Sequence, residues 1–173
     1  MEIVNIVASG SFNQKVNLQS LMAIGDKFTF DTQKYHGGYL KLDSGKVTLY
    51  TSGKYILPGI KSIEQVSKHW HNVVQILSPY LDTSLFDAPK IQNIVLMDTL
   101  NIHLSLSKII SGLKDENAEY EPEVFPGLIW RTKYGSINLF QSGKYMMLGC
   151  KSLEDAQKLS EYVNEKLTAI MNS

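Results

Sequence analysis

The sequence predicts an α+β fold made of two pseudo-symmetric repeats, each an antiparallel sheet with helices on one face. Three observations support this class: an internal repeat, strand patterns that follow one another through tight turns, and an amphipathic helix that closes each copy. Strands joined directly by hairpins run antiparallel, and helices then cover one face of the sheet. The other face is left free for binding.

The internal repeat is the strongest of these observations. Ser52-Gly53-Lys54-Tyr55 recurs as Ser142-Gly143-Lys144-Tyr145, an offset of 143 − 53 = 90 residues. Residues 3–7 match residues 91–95 at an offset of 93 − 5 = 88. The further matches, in the same order, are Gly59 with Gly149, Lys61 with Lys151, Ser62 with Ser152, Glu64 with Glu154, and Phe30, Tyr35 and Gly37 with Tyr120, Phe125 and Gly127. Such a series indicates duplication. We predict a first repeat over residues 1–82, a linker over 83–90 and a second repeat over 91–173.

Each repeat is expected to contain the same elements. Apolar strands over residues 3–8 and 91–97 lead into short helical stretches over 18–24 and 106–113. Hairpins follow, with Gly45 and Gly135 in the turns, where tight hairpins need a positive φ. The hairpin strands cover residues 39–42 and 47–51 in the first copy and 128–132 and 136–141 in the second. Last strands over 54–59 and 144–149 come next.

A long amphipathic helix closes each repeat. Ser152 is the expected N-cap in the second copy, with acidic residues in the first turn, and the first-copy helix is expected over 62–77, ending before Pro79. Apolar residues recur at helical spacing and predict the buried faces. They are Ile63, Val66, Trp70, Val73, Val74 and Leu77 in the first copy and Leu153, Ala156, Leu159, Val163, Leu167 and Ile170 in the second.

Alternation along the strands assigns the side chains of the helix-free face. They are Asn5, Val7, Thr48, Tyr50, Ile56 and Pro58 in the first repeat and Asn93, Val95, Asn138, Phe140, Met146 and Leu148 in the second. Ile6, Ile94, Ile137 and Leu139 are expected to face the helices. An apolar and aromatic surface of this kind is typical of a binding site. The pattern alone leaves open whether it binds a ligand, another chain or a third layer.

Composition excludes several classes of function. The chain has 17 basic and 17 acidic residues, so a polyanion would require basic groups gathered on one face. No apolar run reaches the roughly 20 residues of a membrane span. The single cysteine, Cys150, cannot form an internal disulfide, which favours an intracellular location. No P-loop, metal-ligand spacing or nucleophile–base arrangement is present, so neither enzymatic activity nor a cofactor is expected.

Three stretches of the second repeat resemble the TATA-binding protein family. Residues 120–131 (Tyr-Glu-Pro-Glu-Val-Phe-Pro-Gly-Leu-Ile-Trp-Arg), followed by residues 140–144, are similar to that family's second-repeat signature, and residues 91–95 are similar to the strand that opens it. The first repeat matches through residues 3–7 and 52–54. The resemblance implies a saddle with a curved antiparallel sheet and helices on its convex face. It also implies binding to the minor groove of double-stranded promoter DNA, which the protein would bend.

The resemblance implies roles for individual residues. Aromatic pairs would wedge between base steps, and asparagines would donate hydrogen bonds to acceptors on the groove floor. The wedges would be Phe125 with Phe140 and Tyr35 with Tyr50; the asparagines are Asn5 and Asn93, with Val7 and Val95 packed beside them. Ile56 and Met146 are also expected to contact the DNA. Six cations would meet phosphates: Lys41, Lys54, Lys61, Arg131, Lys144 and Lys151.

The resemblance also implies a protein partner. Glu121, Glu123 and Val124 fall in the loop that docks transcription factor B in this family, through which the RNA polymerase machinery would be reached indirectly. No membrane partner is expected. The location would be the nucleus in a eukaryote, the cytoplasm or nucleoid in an archaeon, and the host cell for a virus.

Departures from the family pattern predict a relaxed sequence preference. Pro58 and Leu148 stand where the family usually has threonine, and Thr48 and Asn138 where it has apolar residues. The two wedge spacings, 50 − 35 and 140 − 125, are both 15 residues, shorter than the family habit. The alternative function is a protein-interaction scaffold or regulator of the same fold that has lost strong DNA bending.

Overall fold

The computed structural model describes residues 1–31, 33 and 37–173, and these residues form two compact units. One unit comprises Asn5–Gln92 and is called the first repeat below. The other comprises Met1–Val4 and Asn93–Ser173 and is called the second repeat. The first strand of each repeat begins three residues before its unit, at Glu2 and at Lys90, and is described with the repeat that contains most of it. Both contain the same order of strands and a long closing helix, as the sequence duplication predicts.

The first repeat contains a sheet in the order β2-β3-β4-β5-β1, antiparallel throughout. Its strands are β1 (Glu2–Ser11), β2 (Phe28–Phe30), β3 (Gly37–Leu42), β4 (Gly45–Tyr50) and β5 (Lys54–Ile60). A short 3-10 helix (Ser20–Ile24) follows β1, and α1 (Ile63–Leu77) contacts β3, β4 and β5. A second 3-10 helix (Thr83–Leu85) lies in the segment predicted as a linker.

The second repeat has the corresponding order β7-β8-β9-β10-β6, also antiparallel. Its strands are β6 (Lys90–Thr99), β7 (Asn117–Glu119), β8 (Leu128–Thr132), β9 (Gly135–Leu139) and β10 (Lys144–Cys150). Its helices are α2 (Leu106–Gly112) and α3 (Leu153–Met171), and α3 contacts β9, β10 and α2. The α+β class predicted from the sequence is confirmed. No helix in the described residues is long and apolar enough to cross a membrane.

The closing helices begin where serine caps them. The Ser152 Oγ accepts a hydrogen bond from the Asp155 N–H at 3.1 Å, as predicted, and the Ser62 Oγ accepts one from the Gln65 N–H at 3.3 Å. Such caps satisfy backbone donors that have no partner inside the helix.

The buried face of α1 differs from the predicted one. Ile63 is exposed, as is its counterpart Leu153, because each lies in the first turn and off the buried stripe of its helix. In α1 the stripe is Val66, His69, Val73 and Leu77, so a histidine is buried where only apolar residues were expected.

Two short strands were not predicted from the sequence. β2 and β7 have three residues each and pair with β3 and β8 at the outer end of each repeat. The β7 sequence, Asn-Ala-Glu, contains no aromatic or β-branched residue, so propensity gives no signal for it. Pairing with β8 determines its conformation.

Candidate nucleic-acid interface

The repeated Ser-Gly pair is a turn whose glycine cannot be replaced without displacement of the backbone. Gly53 and Gly143 have φ values of +91° and +86°, a region that favours glycine. A Cβ atom at Gly53 would lie 2.1 Å from the Gln14 carbonyl oxygen, and one at Gly143 would lie 2.3 Å from that of Ile102. The repeated motif therefore reflects a close approach of two backbone segments in each repeat.

This turn fixes what lies on either side of it. The Gly53 N–H donates to the Tyr50 carbonyl and the Gly143 N–H donates to the Phe140 carbonyl, both at 2.9 Å. Lys54 and Lys144 follow at the starts of β5 and β10 and are exposed. Each repeat thus presents an aromatic ring before the turn and a cation after it.

The helix-free face has the predicted alternation. Val47, Leu49, Ile137 and Leu139 are fully buried on the helix side. Between them, side chains of the opposite face form cross-strand rows. The rows are Tyr39–Thr48–Ile56 in the first repeat and Ile129–Asn138–Met146 in the second. Most of the predicted face residues are partly exposed, namely Asn5, Val7, Tyr50, Ile56, Pro58, Asn93, Asn138, Phe140, Met146 and Leu148.

Two residues assigned to this face are more buried than predicted. Thr48 is 7% exposed and lies between Tyr39 and Ile56 in its row. Val95 is 9% exposed, and β10 has an irregularity opposite it: Leu96 pairs with Met147 and Ile94 with Cys150. Two residues of β10 therefore stand against Val95, which is the arrangement of a β-bulge.

The same bulge orients one of the two asparagines. Gly149, in the bulge with φ +76°, donates its N–H to the Asn93 Oδ1 at 2.8 Å. The Asn93 Nδ2 is then left to donate elsewhere. In the first repeat the Asn5 Oδ1 is buried and accepts no hydrogen bond from the described residues. The two asparagines match in sequence position and differ in their hydrogen bonding.

The two phenylalanines predicted as a wedge pair in the second repeat contact each other. The rings of Phe125 and Phe140 have centroids 5.8 Å apart at an interplanar angle of 66°, an edge-to-face contact. Gly127 provides the space: a Cβ there would lie 2.7 Å from the Phe125 ring and 3.0 Å from the Phe140 ring. In the first repeat Tyr50 is partly exposed, and Tyr35 lies outside the described residues.

The six cations predicted to meet phosphates are all exposed, and Arg131 forms an ion pair with an acid. Lys41, Lys54, Lys61, Arg131, Lys144 and Lys151 make up the set. The Arg131 Nη2 lies 2.9 Å from the Glu119 Oε1, with the two side chains 46% and 49% exposed. Glu119 was missed in the sequence because its strand, β7, was not predicted.

Among the described residues, two further cations belong to the helix-free face of the first repeat. Lys46 has the same strand parity as Thr48 and Tyr50 and lies directly opposite Lys41. Lys27 precedes β2, and its carbonyl accepts the Lys41 N–H at 2.7 Å. Strand alternation could have identified Lys46 from the sequence, whereas Lys27 depends on the unpredicted strand β2.

The predicted protein-binding loop is a compact turn with an exposed apolar tip. The Glu121 carbonyl accepts hydrogen bonds from the N–H groups of Val124 and Phe125, at 2.9 and 3.0 Å. Val124 is 81% exposed, and the side chains of Glu121 and Glu123 are exposed beside it.

Comparison with known proteins identifies the family. The family model described as transcription factor TFIID (or TATA-binding protein, TBP) matches residues 1–80 and 88–170. The TATA-box-binding protein of Archaeoglobus fulgidus is 33% identical over 176 residues, covering 98% of this chain and 96% of that protein. The TATA-box-binding protein of Methanothermobacter thermautotrophicus is 34% identical over 179 residues, covering 98% and 96%.

A solved structure agrees with the sequence comparisons. The Methanococcus jannaschii TBP matches with a TM-score of 0.80 and 29% identity, over 97% of this chain and 98% of that one. The duplicated α+β units, the Ser-Gly turns and the paired phenylalanines occur in a chain that matches this family over nearly its whole length. The chain therefore belongs to the TATA-binding protein family, whose members are DNA-binding transcription factors and not enzymes.

Proposed function

We propose that this protein binds the minor groove of AT-rich promoter DNA through the helix-free faces of both repeats, bends the duplex and recruits a transcription factor B-like protein. The observation that carries the proposal is the repetition of one arrangement. In each repeat a face without helices presents an asparagine, apolar strand residues, and an aromatic ring and a lysine flanking a Ser-Gly turn.

The chemistry of this arrangement suits the minor groove. Adenine N3 and thymine O2 are acceptors, which an amide such as the Asn93 Nδ2 can meet, and guanine adds an N2 amino donor that an apolar floor leaves unpaired. Aromatic rings that enter a base step recover part of the cost of unstacking by their own contacts. Exposed cations around the face supply attraction to phosphate that is independent of sequence.

The loop 121–124 supports the recruitment part of the proposal. An exposed valine flanked by two glutamates offers a small apolar contact with an acidic rim, which fits a basic protein surface. Its compact turn reduces the entropy that would be lost on binding.

Bending is tested with a short duplex labelled at both ends, by resonance energy transfer. We expect Phe140→Ala to bend DNA much less than the wild type while it keeps a native unfolding curve, because a partly exposed ring contributes little to the core. Tyr80→Ala is the matched control, since Tyr80 is an exposed aromatic outside the face. The same bend angle for Phe140→Ala and wild type would refute the wedge. Tight binding without bending by the wild type would instead favour the scaffold or regulator alternative.

Recruitment is tested in the same samples by adding transcription factor B from an archaeon. We expect Val124→Asp to lose the ternary complex and to keep the binary complex with DNA. Equal ternary complexes for the wild type and the variant would contradict recruitment through this loop.

A further inference from the structure

The two repeats differ in charge at the outer end of the helix-free face. In the first repeat, Lys27, Lys41 and Lys46 surround an open cavity of about 530 Å³, with Tyr39 and Pro58 also in its lining. Asp26 is the one acidic residue among the described residues that line this cavity. In the second repeat the positions offset by 90 from these three lysines are Asn117, Arg131 and Ser136.

Of these three lysines, only Lys27 has an acidic partner among the described residues. Within the described residues, no acidic oxygen lies within 4.0 Å of the Nζ of Lys41 or Lys46, and Lys27 reaches the Asp43 carboxylate only at 4.0 Å. Lys41 and Lys46 are directly paired across β3 and β4. Like charges in opposed strand positions destabilise a sheet, so this pair works against the stability of the folded protein. A bound anion would relieve the repulsion.

The equivalent row of the second repeat is electrically balanced. Arg131 faces Ser136 across β8 and β9, so no second cation opposes it, and Glu119 holds its guanidinium at 2.9 Å. A phosphate that approaches Arg131 has to compete with this carboxylate, whereas a phosphate that approaches Lys41 and Lys46 meets two unpaired ammonium groups.

We propose that the cavity between Lys27, Lys41 and Lys46 is an additional site for the DNA phosphate backbone, and that Glu119 screens Arg131, so that the first repeat holds the duplex more strongly than the second. This inference rests on the proposed DNA-binding function. Lys27 and Lys46 become phosphate contacts beyond those assigned by family resemblance, and Glu119 becomes a residue that tunes affinity through Arg131.

Lys46→Gln tests the cavity. We expect affinity for an AT-rich duplex to fall about fivefold to tenfold near 0.1 M salt, and the slope of log K against log salt to become shallower by about 0.9, the value for one lost phosphate contact. The melting temperature should stay equal or rise, because the repulsion with Lys41 is removed; a purely structural role for Lys46 would lower it. Lys68→Gln, which removes an exposed charge from α1, is the control and should leave the slope unchanged.

The reverse change tests the asymmetry. Ser136→Lys places a lysine opposite Arg131 and should steepen the salt slope. Glu119→Gln should raise affinity about twofold to fivefold in the wild type and leave it unchanged in an Arg131→Gln background, because Glu119 acts through that guanidinium. Glu154→Gln, which breaks the 2.7 Å pair with Lys158 on α3, is the control for loss of an acidic charge.

The outcomes separate this inference from the proposed function. A wild type with no salt-dependent DNA binding would overturn both. If the wild type bound DNA with the expected salt dependence and Lys46→Gln bound it as tightly as Lys68→Gln, only the proposed phosphate site in the cavity would be overturned. If Glu119→Gln raised DNA affinity equally in the wild type and in the Arg131→Gln background, its effect would be the general loss of a negative charge. That result would overturn the proposed screening of Arg131.

Discussion

At the residue scale, three glycines beside the helix-free face leave room for other atoms. Gly127 leaves space for the rings of Phe125 and Phe140, and Gly53 and Gly143 leave space for backbone carbonyls of other segments. The sequence predicted the importance of the Ser-Gly pair because it is repeated. It could not show why, since the carbonyls of Gln14 and Ile102 approach only in the folded chain.

Gly143→Ala should therefore destabilise the second repeat by more than the conformational cost of a positive φ. That cost is about 1 kcal/mol, and displacing a carbonyl 2.3 Å away adds roughly 1–3 kcal/mol. Gly149→Ala is the matched control, because Gly149 also has positive φ, at +76°, and a Cβ there meets nothing within 4 Å. Urea unfolding measures both free energies. Equal losses at the two positions would show that the close approach in the Ser-Gly turn is not a constraint.

At the element scale, strands and long helices could be predicted well because their periodicity spans many residues, and short edge strands could not. The hairpin strands β3, β4, β8 and β9 and the helices α1 and α3 lie where alternation and helical spacing indicate. β2 and β7 are too short for a period to be visible, and they contain or adjoin Lys27, Thr29 and Glu119. The charged outer ends of both repeats were for this reason only partly predictable.

The closing helices contain a substitution between the repeats that should make stability depend on pH. His69 in α1 corresponds to Leu159 in α3, since 159 − 69 = 90, and each lies under the glycine of its hairpin turn. His69 is buried, its Nε2 is 3.3 Å from the Ser44 Oγ, and its Nδ1 has no partner among the described residues. Burial lowers the pKa of His69 below its ordinary value of 6.5, because the charged imidazolium would lose its hydration.

His69→Leu should raise stability and flatten its dependence on pH. The unfolded chain takes up a proton near pH 6.5 and the folded chain only at lower pH, so the wild type loses stability as pH falls through 6.5. The loss approaches about 1.4 kcal/mol per pH unit within that window. Thermal unfolding of the wild type and His69→Leu at several pH values between about 5 and 8 measures the difference. Parallel curves for the two proteins would exclude His69 as the titrating group.

At the scale of the whole molecule, duplication gives two copies of one surface, and divergence between the copies makes them chemically unequal. The asparagines differ in hydrogen bonding, the outer ends differ in charge, and the positions predicted for the groove floor carry Pro58 in one repeat and Leu148 in the other. The net charge of zero does not reveal the difference in charge between the outer ends, because composition counts charges without regard to the face on which they lie. The difference between the lysine-rich outer end of the first repeat and the ion-paired Arg131 of the second is visible only in the folded structure.

Under the proposed function, we expect all these positions to contribute to sequence preference. Asn93 can donate to acceptors that both orientations of an A·T pair present, and the apolar floor gives the guanine amino group no acceptor. Pro58 and Leu148 provide no hydroxyl that could increase discrimination between bases. The partly exposed Asn138 and the buried Thr48 add polar groups farther from the centre of the face. We expect the isolated protein to select AT-rich, deformable steps without a strict consensus. Selection from random duplexes, followed by sequencing, measures this directly: a sharp eight-base-pair consensus would refute relaxed preference, and no enrichment of A·T pairs would refute minor-groove binding itself.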